Sequence, residues 1–140
     1  MSPLIRNILA VVAGIVLGSM VNMGILQVGN SVILPPAGVD STTPEGLRNG
    51  MQLFEPQHFI FPFLAHALGT LAGAFAAAMI AASNRMKIAL GIGIFFLLGG
   101  IATIVMLPSP IWFTMLDLLL SYMPMAIIGG RAAISRKRNI

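Results

Sequence analysis

Asp117 and His66 are the two residues whose chemistry stands out most from the surrounding sequence. Asp117 is the one acidic residue within a long apolar stretch, and His66 lies within another. Ionisable side chains are rare and energetically costly inside membrane spans, where they mark paths for protons, ions or polar ligands. A carboxylate beside an imidazole can pass a proton, hold a cation or bind a polar headgroup. The function of the chain therefore depends on what these two side chains contact.

Further polar residues accompany Asp117 and His66 at helical spacing. Thr114 lies three residues before Asp117, and Ser121 lies four residues after it. Thr70 lies four residues after His66. Residues three or four apart share one side of a helix. We therefore expect a shared polar pocket, and its candidate residues for binding a ligand or a proton are Asp117, His66, Asn22, Thr70, Thr114 and Ser121.

The pairing of Asp117 with His66 also allows a purely structural interpretation. An aspartate and a histidine on neighbouring helices can satisfy each other as an interhelical lock, worth about 0.5 to 2 kcal/mol in membrane model systems. The spacing is equally consistent with a lock and with a functional pocket.

Glu55 and His58 form a second combination of chemically active residues. Glu-x-x-His spacing places two metal ligands on one side of a helix, but di-iron bundles need this unit twice and the chain has it once. Attraction to the positive end of a helix explains the position of Glu55 equally well. We predict no metal site, and the candidate ligands for the alternative are Glu55, His58 and His66.

Catalytic and cofactor motifs are absent from the sequence. It contains no nucleophile elbow, no glycine-rich phosphate loop and no cysteine. We therefore predict no cofactor and no catalytic residue.

The composition identifies the surroundings of the polar residues. Of the 140 residues 57% are hydrophobic and 9% are charged, and the mean hydropathy is +0.94. Soluble domains carry about a quarter of their residues as charged side chains, so this chain cannot cover a water-facing surface. The net charge of +4 does not indicate nucleic acid, because the basic residues are few and separated by apolar runs. The predicted partner is the lipid bilayer.

Four apolar stretches are long enough to cross a bilayer, because about 20 helical residues span its hydrocarbon core. They cover about 8–28, 59–82, 88–107 and 111–129. Short connections after the second and third stretches predict antiparallel neighbours. We therefore predict an all-α integral membrane four-helix bundle in a single domain, 1–140. No A-x-A-like cleavage site follows the first span, so we expect it to be retained.

The connection between the first two spans, about 34–58, is longer and has its own signals. Pro35-Pro36-Ala37-Gly38 predicts a turn, and Thr43 followed by Pro44 predicts the N-cap and first position of a short helix. We expect this helix to be amphipathic and to lie on the membrane surface, with an apolar side formed by Met51, Leu53 and Phe54.

The basic residues predict the orientation of the spans. Four crossings put seven of the eight lysines and arginines on one side, namely Arg6, Arg85, Lys87, Arg131, Arg136, Lys137 and Arg138. Cytoplasmic segments of membrane proteins carry the excess of basic residues. We therefore expect both termini, including the basic tail 131–140, in the cytoplasm, with the chain in a bacterial inner membrane. Asp117 and His66 then lie about 9 and 10 Å from the outer ends of their spans by helix rise.

Small residues and prolines predict how the helices pack. Residues four apart form a groove on the second span, and the set is Ala65, Gly69, Gly73, Ala77 and Ala81. Gly14 and Gly18 repeat the spacing on the first span. Close approach of helices in lipid depends on such residues. We expect another helix of the chain in this groove, and the alternative occupant is a second copy or a larger membrane complex. Pro124 is expected to kink the fourth span.

The sequence also resembles a group of known proteins. The residues that carry the resemblance are the run from Phe54 to Thr70, FEPQHFIFPFLAHALGT, the run from Leu107 to Phe113, LPSPIWF, and Asp117. They resemble short four-span bacterial membrane proteins of unassigned function. The resemblance extends over nearly the whole chain and implies no activity.

Together these observations predict a small membrane protein with one of two functions. The first is a transport or ligand-binding module whose pocket opens outward around Asp117 and His66. The alternative is a non-catalytic accessory subunit of a larger membrane complex, packed through the groove of the second span.

Overall fold

A computed structural model describes residues 1–139, and the described part is mostly helical and contains no strands. The helices are α1 (Pro3–Val32), α2 (Pro44–Gly50), α3 (Ile60–Ile80), α4 (Arg85–Met106), α5 (Ile111–Leu120) and α6 (Met123–Arg138). Two short 3-10 turns, Met51–Leu53 and Pro56–Phe59, lead into α3. The predicted all-α fold is therefore confirmed for these residues. Ile140, the last residue of the predicted basic tail, lies outside them.

Four helical segments are long and apolar enough to cross a membrane, as the sequence predicts. They are Pro3–Val32, Pro56–Ile80, Arg85–Met106 and Ile111–Arg138. The first begins earlier than predicted because Ser2 caps α1, its hydroxyl accepting from the Ile5 amide at 3.3 Å. The fourth continues through the basic residues to Arg138. These four apolar helices indicate a multi-pass membrane protein.

The fourth segment is divided at Ser121 and Tyr122, between α5 and α6. Pro124 is the second residue of α6, where its missing amide hydrogen breaks no hydrogen bond of that helix. The Tyr122 backbone leaves helical geometry, with a ψ of −78°. The interruption expected at Pro124 thus lies just before it.

The small-residue groove of α3 holds α1. A methyl group at Gly14 would lie 2.7 Å from the carbonyl oxygen of Gly73, and one at Gly69 would lie 2.9 Å from the carbonyl oxygen of Gly18. The two backbones are therefore in direct contact. The groove residues Ala65, Gly69, Gly73, Ala77 and Ala81 are all buried within the chain. A partner chain could use this groove only after displacing α1.

The other sides of α3 contact α4 and α6, so α3 is the central helix of the bundle. Buried alanines form most of this core, together with Ile92. A methyl group at Gly129 of α6 would lie 2.6 Å from the carbonyl oxygen of Leu71 on α3. Small residues thus allow close packing at both faces of α3.

Three basic side chains meet at the carboxyl end of α3, which we call the basic end of the bundle. Lys137, Arg6 and Arg85 donate to the carbonyl oxygens of Met79, Ile80 and Ala81 at 3.0, 2.7 and 3.3 Å. The last carbonyls of a helix have no partner within it, and the helix dipole favours cations there. These basic residues therefore also help to fix α1 and α6 onto α3.

The segment from 33 to 59 covers the opposite end, the loop end. The Thr43 hydroxyl accepts from the Gly46 amide at 3.0 Å, so the predicted cap of α2 is confirmed. Hydrogen bonds from Thr42 hold the pKa of Asp40 below its usual value. The prediction that Met51, Leu53 and Phe54 form the apolar side of this helix is wrong, because α2 ends at Gly50 and all three residues follow it. Leu53 is exposed, whereas the other two turn toward the bundle.

Candidate functional site

His66 and Asp117 are in direct contact between α3 and α5. The Nδ1 atom of His66 lies 3.0 Å from Oδ1 and 2.9 Å from Oδ2 of Asp117. The side chain of Asp117 is only 3% exposed, whereas that of His66 is 20% exposed. The pair is therefore closed on the carboxylate side and open on the imidazole side.

Two hydroxyl groups complete the surroundings of the Asp117 carboxylate. Ser121 donates to Oδ1 at 2.8 Å, and Tyr122 donates to Oδ2 at 3.0 Å. With His66 there are three donors around one carboxylate, and only the ionised form offers acceptors alone. Neutral His66 then carries its hydrogen on Nδ1 and has a lone pair on Nε2. Within residues 1–139 this Nε2 atom has no protein hydrogen-bond partner.

Tyr122 joins the cluster through the break between α5 and α6. Its ring stacks on His66 with a centroid distance of 5.8 Å, and its hydroxyl oxygen lies 3.1 Å from Nδ1 of His66. Gly100 on α4 makes room for that hydroxyl, because a methyl group at Gly100 would collide with it. The tyrosine is 2% exposed. It is thus held by three helices around the carboxylate.

Sequence reasoning did not select Tyr122 for this site. Five residues of continuous helix advance about 500°, which turns residue 122 about 140° away from Asp117. The break in the helix removes that offset. The available signal was the only tyrosine of the chain, placed beside Pro124 within an apolar span.

A cavity of about 170 Å³ lies beside the cluster, and we call it the inner cavity. Residues of α1, α3 and α4 line it, together with Tyr122 just before α6. Its polar lining consists of Asn22, His66, Thr70, Thr103 and Tyr122, and Phe96 forms an aromatic wall. Two of the predicted pocket residues, Asn22 and Thr70, are thus brought to His66.

A second cavity of about 290 Å³, the outer cavity, lies between the cluster and the loop end. Met51 and Phe54 of the loop segment cover it, and Asp117 contributes to its wall. Three residues line both cavities, namely His66, Gly100 and Thr103. His66 therefore belongs to the wall of both cavities.

Two buried oxygen atoms at the inner cavity lack partners within residues 1–139. They are Oδ1 of Asn22 and Oγ1 of Thr70. Thr103 differs, since its hydroxyl donates to the Gly99 carbonyl one turn earlier at 3.0 Å. Buried polar atoms are nearly always hydrogen-bonded, to protein or to water. The cavity must therefore supply the missing partners, as water or as a ligand.

The remaining candidate residues do not contact the Asp117 carboxylate, although His58 lines the outer cavity. Thr114 shares a hydrogen bond of 2.9 Å with Ser109 and lines neither cavity as the described residues define them. His58 accepts from the Glu55 amide at 2.9 Å, a local capping contact. The part of the chain that the structure describes holds no group of three or more metal-ligand side chains. It thus does not bring Glu55, His58 and His66 together as a metal site.

Comparison with known proteins gives no match to this chain. No protein-family model matches the chain, and no match is found among curated proteins or among solved structures. The function must be argued from the geometry of the cluster and its cavities.

Proposed function

We propose that this chain is a transport or ligand-binding module of a bacterial inner membrane, with both termini in the cytoplasm. Its pocket opens outward, toward the loop end, and His66 paired with Asp117 responds to protonation within it. The orientation is supported by the basic residues at the end opposite the loop, since cytoplasmic segments carry the excess of lysine and arginine.

One observation carries the proposal: the Asp117 cluster borders two cavities that share lining residues, instead of being sealed in the core. An interhelical lock needs only the two side chains, and it gains nothing from unpartnered oxygens beside it. Asn22 and Thr70 supply such oxygens at the inner cavity. A binding pocket accounts for both the space and the polar atoms.

The chemistry of the pocket follows from the free nitrogen of His66. A proton that binds neutral His66 does so at Nε2, the ring nitrogen that Asp117 does not engage. Asp117 and Tyr122 are the titratable groups in contact with His66, and His58 lines the outer cavity with it. The polar side chains of α1 and α4 at the inner cavity are Asn22 and Thr103. Protonation therefore changes the pocket from an acceptor to a donor at its centre.

The bundle closes the pocket toward the basic end. Below Thr70 the backbones of α1 and α3 touch at Gly14 and Gly73. The Ala77 side chain also lies against Gly14. The loop end therefore remains as an approach to the outer cavity, and the inner cavity also borders Gly99 and Thr103, two exposed residues of α4.

Replacement of Asp117 tests the proposal through the hydrogen position on His66. The full chain in nanodiscs, labelled with ¹⁵N-histidine, is followed by NMR from pH 5 to pH 8. We expect neutral wild-type His66 to carry its hydrogen on Nδ1 and to take a second proton reversibly. In Asp117→Asn the preference for Nδ1 is lost, because the amide can donate as well as accept.

Thr114→Val is the matched control, since Thr114 lies one turn from Asp117 but bonds Ser109 instead. It should leave both the His66 tautomer and its proton uptake unchanged. A His66 signal that stays constant from pH 5 to pH 8 in the wild type would mean a closed lock and would refute the proposed function.

A further inference from the structure

Most polar groups that line the inner cavity already donate their hydrogen atoms to acceptors within the protein. Thr103 donates its hydroxyl hydrogen to Gly99, and Tyr122 donates its own to Asp117. Each hydroxyl oxygen therefore presents lone pairs as its remaining capacity. His66 presents the lone pair of Nε2 for the same reason, because its Nδ1 hydrogen points at Asp117.

The unpartnered atoms extend this excess of acceptors. Oδ1 of Asn22 can only accept. The donors that remain at the cavity are the Asn22 amide nitrogen and the Thr70 hydroxyl. A molecule that satisfies such a lining must bring more hydrogen-bond donors than acceptors.

The charges around the cavity have one sign. Asp117 lies directly behind His66, and its side chain is almost fully buried. Among the described residues, neither cavity is lined by a lysine or an arginine. A buried carboxylate with no lysine or arginine beside it attracts a cation far more strongly than an exposed one would. The Phe96 ring in the wall adds a surface that favours cations.

We propose that the inner cavity binds ammonium or a short primary alkylammonium ion, with N–H donors directed at Nε2 of His66, Oδ1 of Asn22 and Oγ1 of Thr70. This inference rests on the proposed function and names the ligand class of the same pocket. The cavity volume of about 170 Å³ suits such an ion with a few waters. Drug-sized ligands usually occupy roughly 300 to 1,000 Å³.

Protonation of His66 opposes this binding. A proton on Nε2 replaces the acceptor with a donor and adds a positive charge beside the ligand. The ion and the proton therefore compete for the same nitrogen. Occupancy by the ion should fall as the pH is lowered from 8 to 5.

The experiment titrates the full chain in nanodiscs with methylammonium chloride and observes the ¹⁵N signals of both histidines. His58 lines the outer cavity, so its signal reports separately whether the solute enters there. At equal ionic strength the comparison salts are potassium chloride and tetramethylammonium chloride, and urea is the neutral donor. We expect a saturable shift of the His66 Nε2 signal with methylammonium at pH 8, a weaker one at pH 5, and none with the other three.

Thr70→Val provides the variant for this experiment. It is nearly isosteric and removes a hydroxyl that has no partner in the protein, so the fold should be retained. One lost hydrogen bond corresponds to methylammonium binding weakened about 2- to 10-fold. Thr114→Val should bind as the wild type does.

The outcomes separate this inference from the proposed function. Equal shifts with potassium or urea, or no shift with methylammonium, would overturn the ammonium assignment while His66 still takes up a proton. A His66 signal that responds neither to pH nor to any of the four solutes would refute the pocket itself.

Discussion

At the scale of single residues, the hydroxyl of Tyr122 determines which nitrogen of His66 carries the hydrogen. It donates to Asp117 and lies within hydrogen-bond distance of His66, so it touches both members of the pair. Its single hydrogen points at the carboxylate, so the contact between His66 and the carboxylate needs a hydrogen on Nδ1 of His66. The free nitrogen is therefore Nε2, on a residue that lines both cavities.

Gly100 gives a direct test of this role. Gly100→Ala places a methyl group against the Tyr122 hydroxyl, so the ring must move and lose its bonds to Asp117 and His66. We expect the protein to lose about 1 to 3 kcal/mol of stability and the His66 tautomer to become mixed. Chemical denaturation and ¹⁵N-histidine NMR measure the two effects.

The adjacent glycine provides the control for that substitution. A methyl group at Gly99 would meet no atom of the described residues within 4 Å. Gly99→Ala should therefore keep the wild-type tautomer. If both variants behave alike, the position of Tyr122 does not determine the hydrogen on His66.

At the scale of elements, contact between the backbones of α1 and α3 positions the pocket. Gly18 and Gly69 touch at the level of Asn22, which places the Asn22 amide across from α3. Gly14 and Gly73 touch below it. Since small residues govern close helix approach in lipid, these glycines fix the depth at which the cavity ends.

Substitution of two glycines of α1 by alanine separates the effect of the contact with α3 from the effect of helix propensity. Gly14→Ala puts a methyl group 2.7 Å from the Gly73 carbonyl and 2.8 Å from Ala77, and should destabilise the protein by roughly 1 to 3 kcal/mol. Gly24→Ala meets nothing within 4 Å among residues 1–139, and should be neutral or stabilising by up to about 1 kcal/mol. Unfolding in mixed micelles measures both. Equal losses would mean that α1 does not depend on this contact.

The elements also show what the sequence could and could not predict. Apolar length, the Thr43 cap and the four-residue spacing of α3 are local patterns, and the structure contains all three features. The role of Tyr122 depends on a helix break, which local spacing does not reveal. Thr114 shares the predicted face with Asp117, yet the nearby Ser109 hydroxyl competes for it.

At the scale of the whole molecule, charge and access are separated along the bundle axis. The basic side chains gather at the carboxyl end of α3, and the cavities approach the opposite end beneath the loop segment. If the basic end faces the cytoplasm, the pocket must face outward. A measurement of the orientation in the membrane therefore also gives the side from which the pocket is reached.

Because the sequence contains no cysteine, single introduced cysteines can report the orientation directly. Ala37→Cys lies in the loop segment and Ser135→Cys lies near the end of α6, and both positions are exposed. In right-side-out bacterial vesicles, a membrane-impermeant maleimide should label Ala37→Cys at once and Ser135→Cys only after lysis. Both cysteines should react equally in detergent, which controls for intrinsic accessibility. The reverse pattern would place the pocket on the cytoplasmic side, and labelling of both in sealed vesicles would contradict a uniform orientation.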